Sequence, residues 1–230
     1  MRDSEIDKIL KQAAEASPQA EPELVSRISS AISSDLHPIR PMPSFRLLLA
    51  ALIGLCGVVG ITGASVLGPY GLHKMSAIQA SIMFSVLAVL FVLVAYVCLN
   101  ESIPGSRRIL SPPVLVTVCC SGLAAVFILL FRDYTIQRFV SQGIPCLRAG
   151  LLHAVAAALG VWWILRRGFA VNPVASAFIR GALAGLSGVL MLEIHCPNFE
   201  TLHLIVWHTL VIPISAALAC GTLFLPSKSG

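Results

Sequence analysis

Long apolar runs without a single charge constrain this chain more than any other feature in it. Beyond Arg46 such runs occupy residues 47–73, 75–100, 109–131, 149–165 and 201–227. Each holds, or nearly holds, the ~20 apolar residues a helix needs to cross a bilayer. A sixth run, Val174 to Ile194, is interrupted by Arg180 near one end and Glu193 near the other. Both charges fall close enough to a membrane surface for the segment to span, because an Arg stem reaches outward from about two turns inside. Backbone polar groups in lipid must be satisfied within the segment, so spans of this kind are helices. The expected fold is all-α: a polytopic membrane protein whose six-transmembrane-helix bundle fills residues 46–225, with spans at about 47–67, 77–99, 111–131, 147–165, 174–195 and 203–224. A short helical N-terminal cytoplasmic tail over 1–45 precedes the bundle, and a cytoplasmic C-terminal tail over 226–230 follows it.

Composition agrees and removes other classes. At 57% hydrophobic and 12% charged residues, the chain is too apolar for an ordinary soluble domain. Its seven cysteines are scattered singly apart from the neighbours Cys119 and Cys120, which excludes both a disulfide scaffold and a CxxC zinc module. The net charge of +5 reads as Lys and Arg retained on one side of a membrane. No basic cluster is interleaved with aromatics, so no direct nucleic-acid contact is expected. The first apolar run begins only after Arg46, without a short charged leader or a small-residue cleavage site, and is expected to remain as a span.

Six spans put both termini on one side. With the N-terminus inside, the cytoplasmic segments hold eleven Lys and Arg, including Arg107, Arg108, Arg166, Arg167 and Lys228, against four outside: Lys74, Arg132, Arg138 and Arg148. That bias favours cytoplasmic termini, and Trp162 and Trp163 just before Arg166 suit an aromatic belt. Gly68-Pro69, Pro104-Gly105, Asn172-Pro173 and Cys196-Pro197 punctuate the loops. Within the fifth span Gly181, Gly185 and Gly188 form a small-residue strip suited to close helix packing.

Residues 1–46 carry six basic and seven acidic side chains and are expected to be aqueous. Ile6, Ile9 and Leu10 fall at helical spacing after Ser4, an N-cap candidate; Leu24, Val25, Ile28, Ile32 and Leu36 form a second stripe. Two such helices are too small to bury a core together, and their mixed charges suit lipid poorly, which points to a protein partner that accepts an apolar stripe. Three prolines in Pro38 to Pro43 make an extended spacer.

In this topology Cys146 opens the fourth span and Cys196 closes the fifth at the same outer rim, with His195 adjacent and His203 a short loop away. Thiolate with imidazole suits zinc, copper or cadmium, held transiently rather than as a resident cofactor; two thiols facing an oxidising compartment can instead form a reversible disulfide. Deeper, His153, Glu193 and His208 are candidates for a polar network, because ionisable groups inside a membrane are costly unless they pair. The other five cysteines read as small buried hydrophobes.

The six-span pattern, the tail ending in Pro-x-Arg-Pro-x-Pro, the fourth-span cysteine and the stretch Leu192 to His208, LEIHCPNFETLHLIVWH, together resemble the NrsF family of bacterial inner-membrane anti-sigma factors. The resemblance is best over roughly 140–215 and rests on hydropathy alone in the first two spans. It implies an inner-membrane, non-enzymatic regulator whose cytoplasmic tail holds an extracytoplasmic-function sigma factor, with Cys146 and Cys196 receiving a metal or oxidative stress signal. Two rivals differ in chemistry. A small metal-ion or proton-coupled transporter would use His153, Glu193, His208 and Arg180 as a path, and a membrane oxidoreductase would hold haem or quinone between His153 and His208.

Overall fold

A computed structural model of the chain describes residues 5, 7, 8, 11, 12, 22–35, 43–102, 110–136, 139–166, 168 and 172–224. The chain divides into two units, Met1–Pro41 and Met42–Gly230. In the first, α1 (Pro22–Asp35) is held along its surface by Arg27, whose guanidinium donates to Glu23 at 2.9 Å one turn back. Val25 and Ile28 on this helix are about half exposed, at 52% and 51%. The backbone at Glu5, Asp7, Lys8, Lys11 and Gln12 is also helical. Ile6, Ile9, Leu10, Leu36 and the spacer residues 38–42 lie outside the described residues, as do the side chains of Leu24 and Ile32.

The second unit contains α2 (Phe45–Leu67), α3 (Tyr70–Lys74), α4 (Ala77–Asn100), α5 (Pro112–Leu130), α6 (Phe139–Leu165), α7 (Pro173–His195) and α8 (Thr201–Phe224). Among the described residues six helices, all of these except α3, are long and apolar enough to cross a bilayer; the protein is a multi-pass membrane protein. Val66, Ile78, Val89, Leu129, Leu152 and Leu159 are exposed on the outer surface of the bundle, as lipid contact demands. Helix starts follow local chemistry. Ser76 and Gln79 form a reciprocal capping box at α4, and the Asn172 side chain accepts the Ala175 N–H ahead of Pro173 at α7.

The bundle is organised around α7. In its most apolar window 72% of residues are buried, against 22–50% in the other spans, and it packs against α8, α6, α2 and α4. Its small residues make that possible. A Cβ at Gly181 or Gly185 would run into the backbone of α8 around Ile212, Ser215 and Ala216, and one at Gly188 would strike the Gly150 carbonyl of α6. Ser187 donates to the Cys56 carbonyl of α2 at 2.7 Å, a buried interhelical bond.

One end of the bundle gathers the α2–α3 corner, the α5–α6 loop and the α7–α8 loop. His195 bonds the Gly68 carbonyl at 2.8 Å, Lys74 donates to the Pro197 carbonyl at 3.2 Å, and the Thr201 N–H donates to the Asp133 carbonyl at 2.7 Å. At the opposite end Arg180 donates to the Ser102 hydroxyl at 3.3 Å, just past α4. Arg166 lies over the Trp163 ring at 5.5 Å, with Trp162 and Trp163 exposed.

Two helices differ from the sequence expectation. The fourth span begins at Phe139 rather than 147, and runs through Pro145 instead of starting after it. A proline removes one helical hydrogen bond, and the added turns are held by Trp207 of α8, which meets Phe139 at 5.4 Å and abuts Gly143. Cys146 therefore sits two turns inside α6, not at its start. The sixth span is not one regular helix: Leu204–His208 form a π-turn before α-helix resumes at Val211. Pro213 has no N–H to offer the Thr209 carbonyl, which accepts from Ile212 at 3.1 Å instead.

The α7–α8 seam generates a stability contrast. Gly185→Val, whose Cβ would lie 2.8 Å from Ile212 Cα, is expected to destabilise the detergent-solubilised protein by about 1–3 kcal/mol in denaturant unfolding. Gly122→Ala in α5, where a Cβ meets nothing within 4 Å, should leave stability equal or raise it by about 0.5–1 kcal/mol.

Candidate functional site

The α7–α8 turn sets the site. Cys196 caps α7, its N–H returning to the Leu192 carbonyl at 2.7 Å, and Pro197 stops the helix there. The loop that follows is clamped from both sides. Asn198 accepts the Glu200 N–H at 2.9 Å and donates to Gln142 of α6 at 2.7 Å. Thr201 donates through its hydroxyl to the Phe131 carbonyl at 2.6 Å, and Phe199 stacks on Phe131 at 4.9 Å. Asp133 and Glu200 pair as a short parallel bridge. These contacts hold the Cys196 thiol, 2% exposed, 3.5 Å from the half-buried Cys146 thiol on α6.

Two imidazoles complete the group. His203 brings Nε2 to 3.6 Å from Cys196 Sγ. His208 lies five residues on, and the π-turn brings its ring to 5.4 Å from that of His203. One donor atom from each of Cys146, Cys196, His203 and His208 can be chosen so that all lie within 4.8 Å of one another. Behind them His208 Nδ1 contacts Glu193 Oε1 at 2.6 Å, with both side chains fully buried. His208 Nε2, His203 Nδ1 and Glu193 Oε2 are buried without a hydrogen-bond partner among the described residues. Three of the eight such atoms among the described residues thus belong to this one group.

The remaining candidate histidines lie elsewhere. His195, expected beside the thiols, turns toward the α2–α3 corner, bonding Gly68 and meeting the Tyr70 ring at 5.8 Å. His153 bonds the Ala149 carbonyl of its own helix at 2.8 Å and packs where Gly63 of α2 leaves room, so it does not join Glu193 and His208. Of the other cysteines, Cys56, Cys98 and Cys119 are buried and Cys120 and Cys220 half-buried. Sequence spacing does not reveal that His208 reaches the thiols, because residues five apart on a regular helix point roughly 140° from each other. Nor does it reveal the clamp formed by Asp133, Gln142, Asn198 and Glu200.

A depression of ≈ 620 Å³ lined by Lys74, Asp133, Gln142, Pro197, Asn198, Phe199 and Glu200 opens beside the cysteine loop. The Thr135 N–H and hydroxyl, at 3.1 and 2.8 Å, hold the exposed Asp133 carboxyl below its ordinary value, so it stays ionised.

Comparison with known proteins bears on this arrangement. The family model described as "NrsF: Negative regulator of sigma F" matches residues 32–226, which include the whole bundle and all four donors. No curated protein and no solved structure matches the chain.

The thiol geometry is open to direct chemistry. A mild oxidant applied to the reduced, metal-free protein should protect Cys146 and Cys196 together from alkylation, with loss of two hydrogens by mass. Cys146→Ser or Cys196→Ser should abolish that protection.

Proposed function

The chain belongs to the NrsF family of negative regulators of sigma factor, and from that premise we propose that it is a bacterial inner-membrane anti-sigma factor with a thiol sensor. Residues 1–45, with Val25 and Ile28 presented on α1, sequester an extracytoplasmic-function sigma factor on the cytoplasmic side. Eleven Lys and Arg on that side against four on the other support this orientation. Cys146 and Cys196, outward-facing in this topology, receive a metal or oxidative signal.

The observation that carries the sensing part of the proposal is the 3.5 Å approach of the two thiols within the cysteine–histidine cluster. A signal moves an equilibrium only by its differential affinity for two states, so chemistry at the rim must favour a different packing of α6, α7 and α8. α7 is the natural carrier. It touches Cys146 through Cys196 at one end and bears Arg180, bonded to Ser102, at the other. A transporter finds less support, because its polar path would need His153, and that ring is engaged by its own helix.

Cys146→Ser and Cys196→Ser should each leave repression of the target regulon intact while abolishing its induction, measured with a promoter reporter. Induction that survives in both strains would contradict the sensor.

A further inference from the structure

We infer that Cys146, Cys196, His203 and His208 form a tetrahedral binding site for a thiophilic divalent cation of the zinc class, with Glu193 holding His208 in position from behind. The inference rests on the sensing role proposed for the same cysteines and deepens it by choosing a metal over a disulfide as the ligand the site is built for.

Distances carry the argument. Zinc bonds of about 2.3 Å to sulfur and about 2.0–2.1 Å to nitrogen, at tetrahedral angles, require about 3.8 Å between two sulfurs and about 3.5 Å between sulfur and nitrogen. The cluster has 3.5 Å between Cys146 and Cys196 Sγ and 3.6 Å from Cys196 Sγ to His203 Nε2. A disulfide would need the two sulfurs to close to about 2.05 Å, a far larger displacement. Two of the six donor spacings therefore stand near those of a metal site already, and all six lie within 4.8 Å.

The fourth donor depends on a departure from regular helix. In an α-helix His203 and His208 would point roughly 140° apart. The π-turn over Leu204–His208 brings them onto one face, a rare arrangement that is frequent at functional sites. Glu193 supplies the rest. Its Oε1 occupies Nδ1 of His208, leaving Nε2 as the atom available to a ligand, and that Nε2 is one of the orphaned buried atoms. Metal-binding imidazoles commonly engage a carboxylate through the other ring nitrogen.

Charge and softness agree. Two thiolates neutralise a divalent ion and two neutral imidazoles complete four-coordination, a donor set typical of zinc sites rather than of magnesium or calcium. On binding, each thiol loses its proton to solvent as its sulfur–metal bond forms. Asp133 and Glu200 outnumber Lys74 among the charged residues lining the adjoining depression, a balance that favours the approach of a cation.

The test uses full-length, reduced, metal-free protein in lipid nanodiscs, titrated with Co²⁺ as the spectroscopic probe and then with Zn²⁺. Expected are one Co²⁺ per chain, a sulfur-to-cobalt charge-transfer band, the strong visible bands of tetrahedral coordination, and loss of all of them on adding Zn²⁺. Cys196→Ser, His203→Gln and His208→Gln should each weaken binding and change the bands, whereas His195→Gln and His153→Gln should match the unmodified protein. Glu193→Gln should preserve the band shape while weakening affinity about 10–100-fold, with partial recovery in Glu193→Asp. A silent spectrum, or His203→Gln and His208→Gln variants that bind as the unmodified protein does, would overturn the site. Should the spectrum be silent while the cysteine substitutions still abolish induction, the thiol sensor stands as an oxidation sensor and only the metal is lost.

Discussion

Close contact between α7 and α8 is the constraint on which the arrangement depends. Between helices in lipid the hydrophobic effect supplies little, because the tails are as apolar as leucine; association comes from van der Waals packing and interhelical hydrogen bonds. Gly181 and Gly185 let the α8 backbone come within contact of α7, and Gly188 does the same for α6 at Gly150. With three helices at that distance, their ends are held too. Cys146 of α6, Cys196 at the end of α7 and His203 and His208 of α8 converge because these helices pack so tightly below them.

Unsatisfied polarity is costly in such packing, which gives the cluster its meaning. A buried Glu193 would be costly alone, and His208 engages only one of its oxygens. Selection for stability alone would more simply fill this space with aliphatic side chains. The combination of two thiols, two imidazoles and a carboxylate is instead what the proposed sensor requires: a group whose state would change with its ligand. The helix carrying Cys196 also carries Arg180 at its other end, so one rigid element spans from the chemistry to the opposite face.

The architecture was largely legible in the sequence because lipid imposes a simple rule: about 20 apolar residues, no charge, helix. That rule located six spans and accommodated Arg180 and Glu193 near their ends. It failed where local exceptions are stabilised by distant residues. Pro145 looks like a helix start, yet Trp207 on another helix supports two more turns before it. The π-turn has no sequence signature of its own, so spacing groups His195 and His203 with the thiols and places His208 deeper, whereas the structure turns His195 away and brings His208 in. The clamp of Asp133, Gln142, Asn198 and Glu200 joins three separate segments and is invisible to spacing. The tail presents the reverse case: its amphipathic stripes are plain in the sequence, whereas of the second stripe the structure describes only the side chains of Val25 and Ile28, each about half exposed on α1.

The proposed sensor depends on energetic coupling across the bilayer between the thiol cluster and the tail proposed to bind the sigma factor. The direct measurement is the affinity of the full-length protein in nanodiscs for its sigma factor, compared between the reduced, metal-free cluster and the same preparation oxidised or loaded with zinc. Modification is expected to weaken sigma binding by a factor within the ~5–150-fold range usual for allosteric coupling, with no change in a Cys146→Ser, Cys196→Ser double variant. Equal affinity in both states, with modification of the thiols verified by mass, would contradict it.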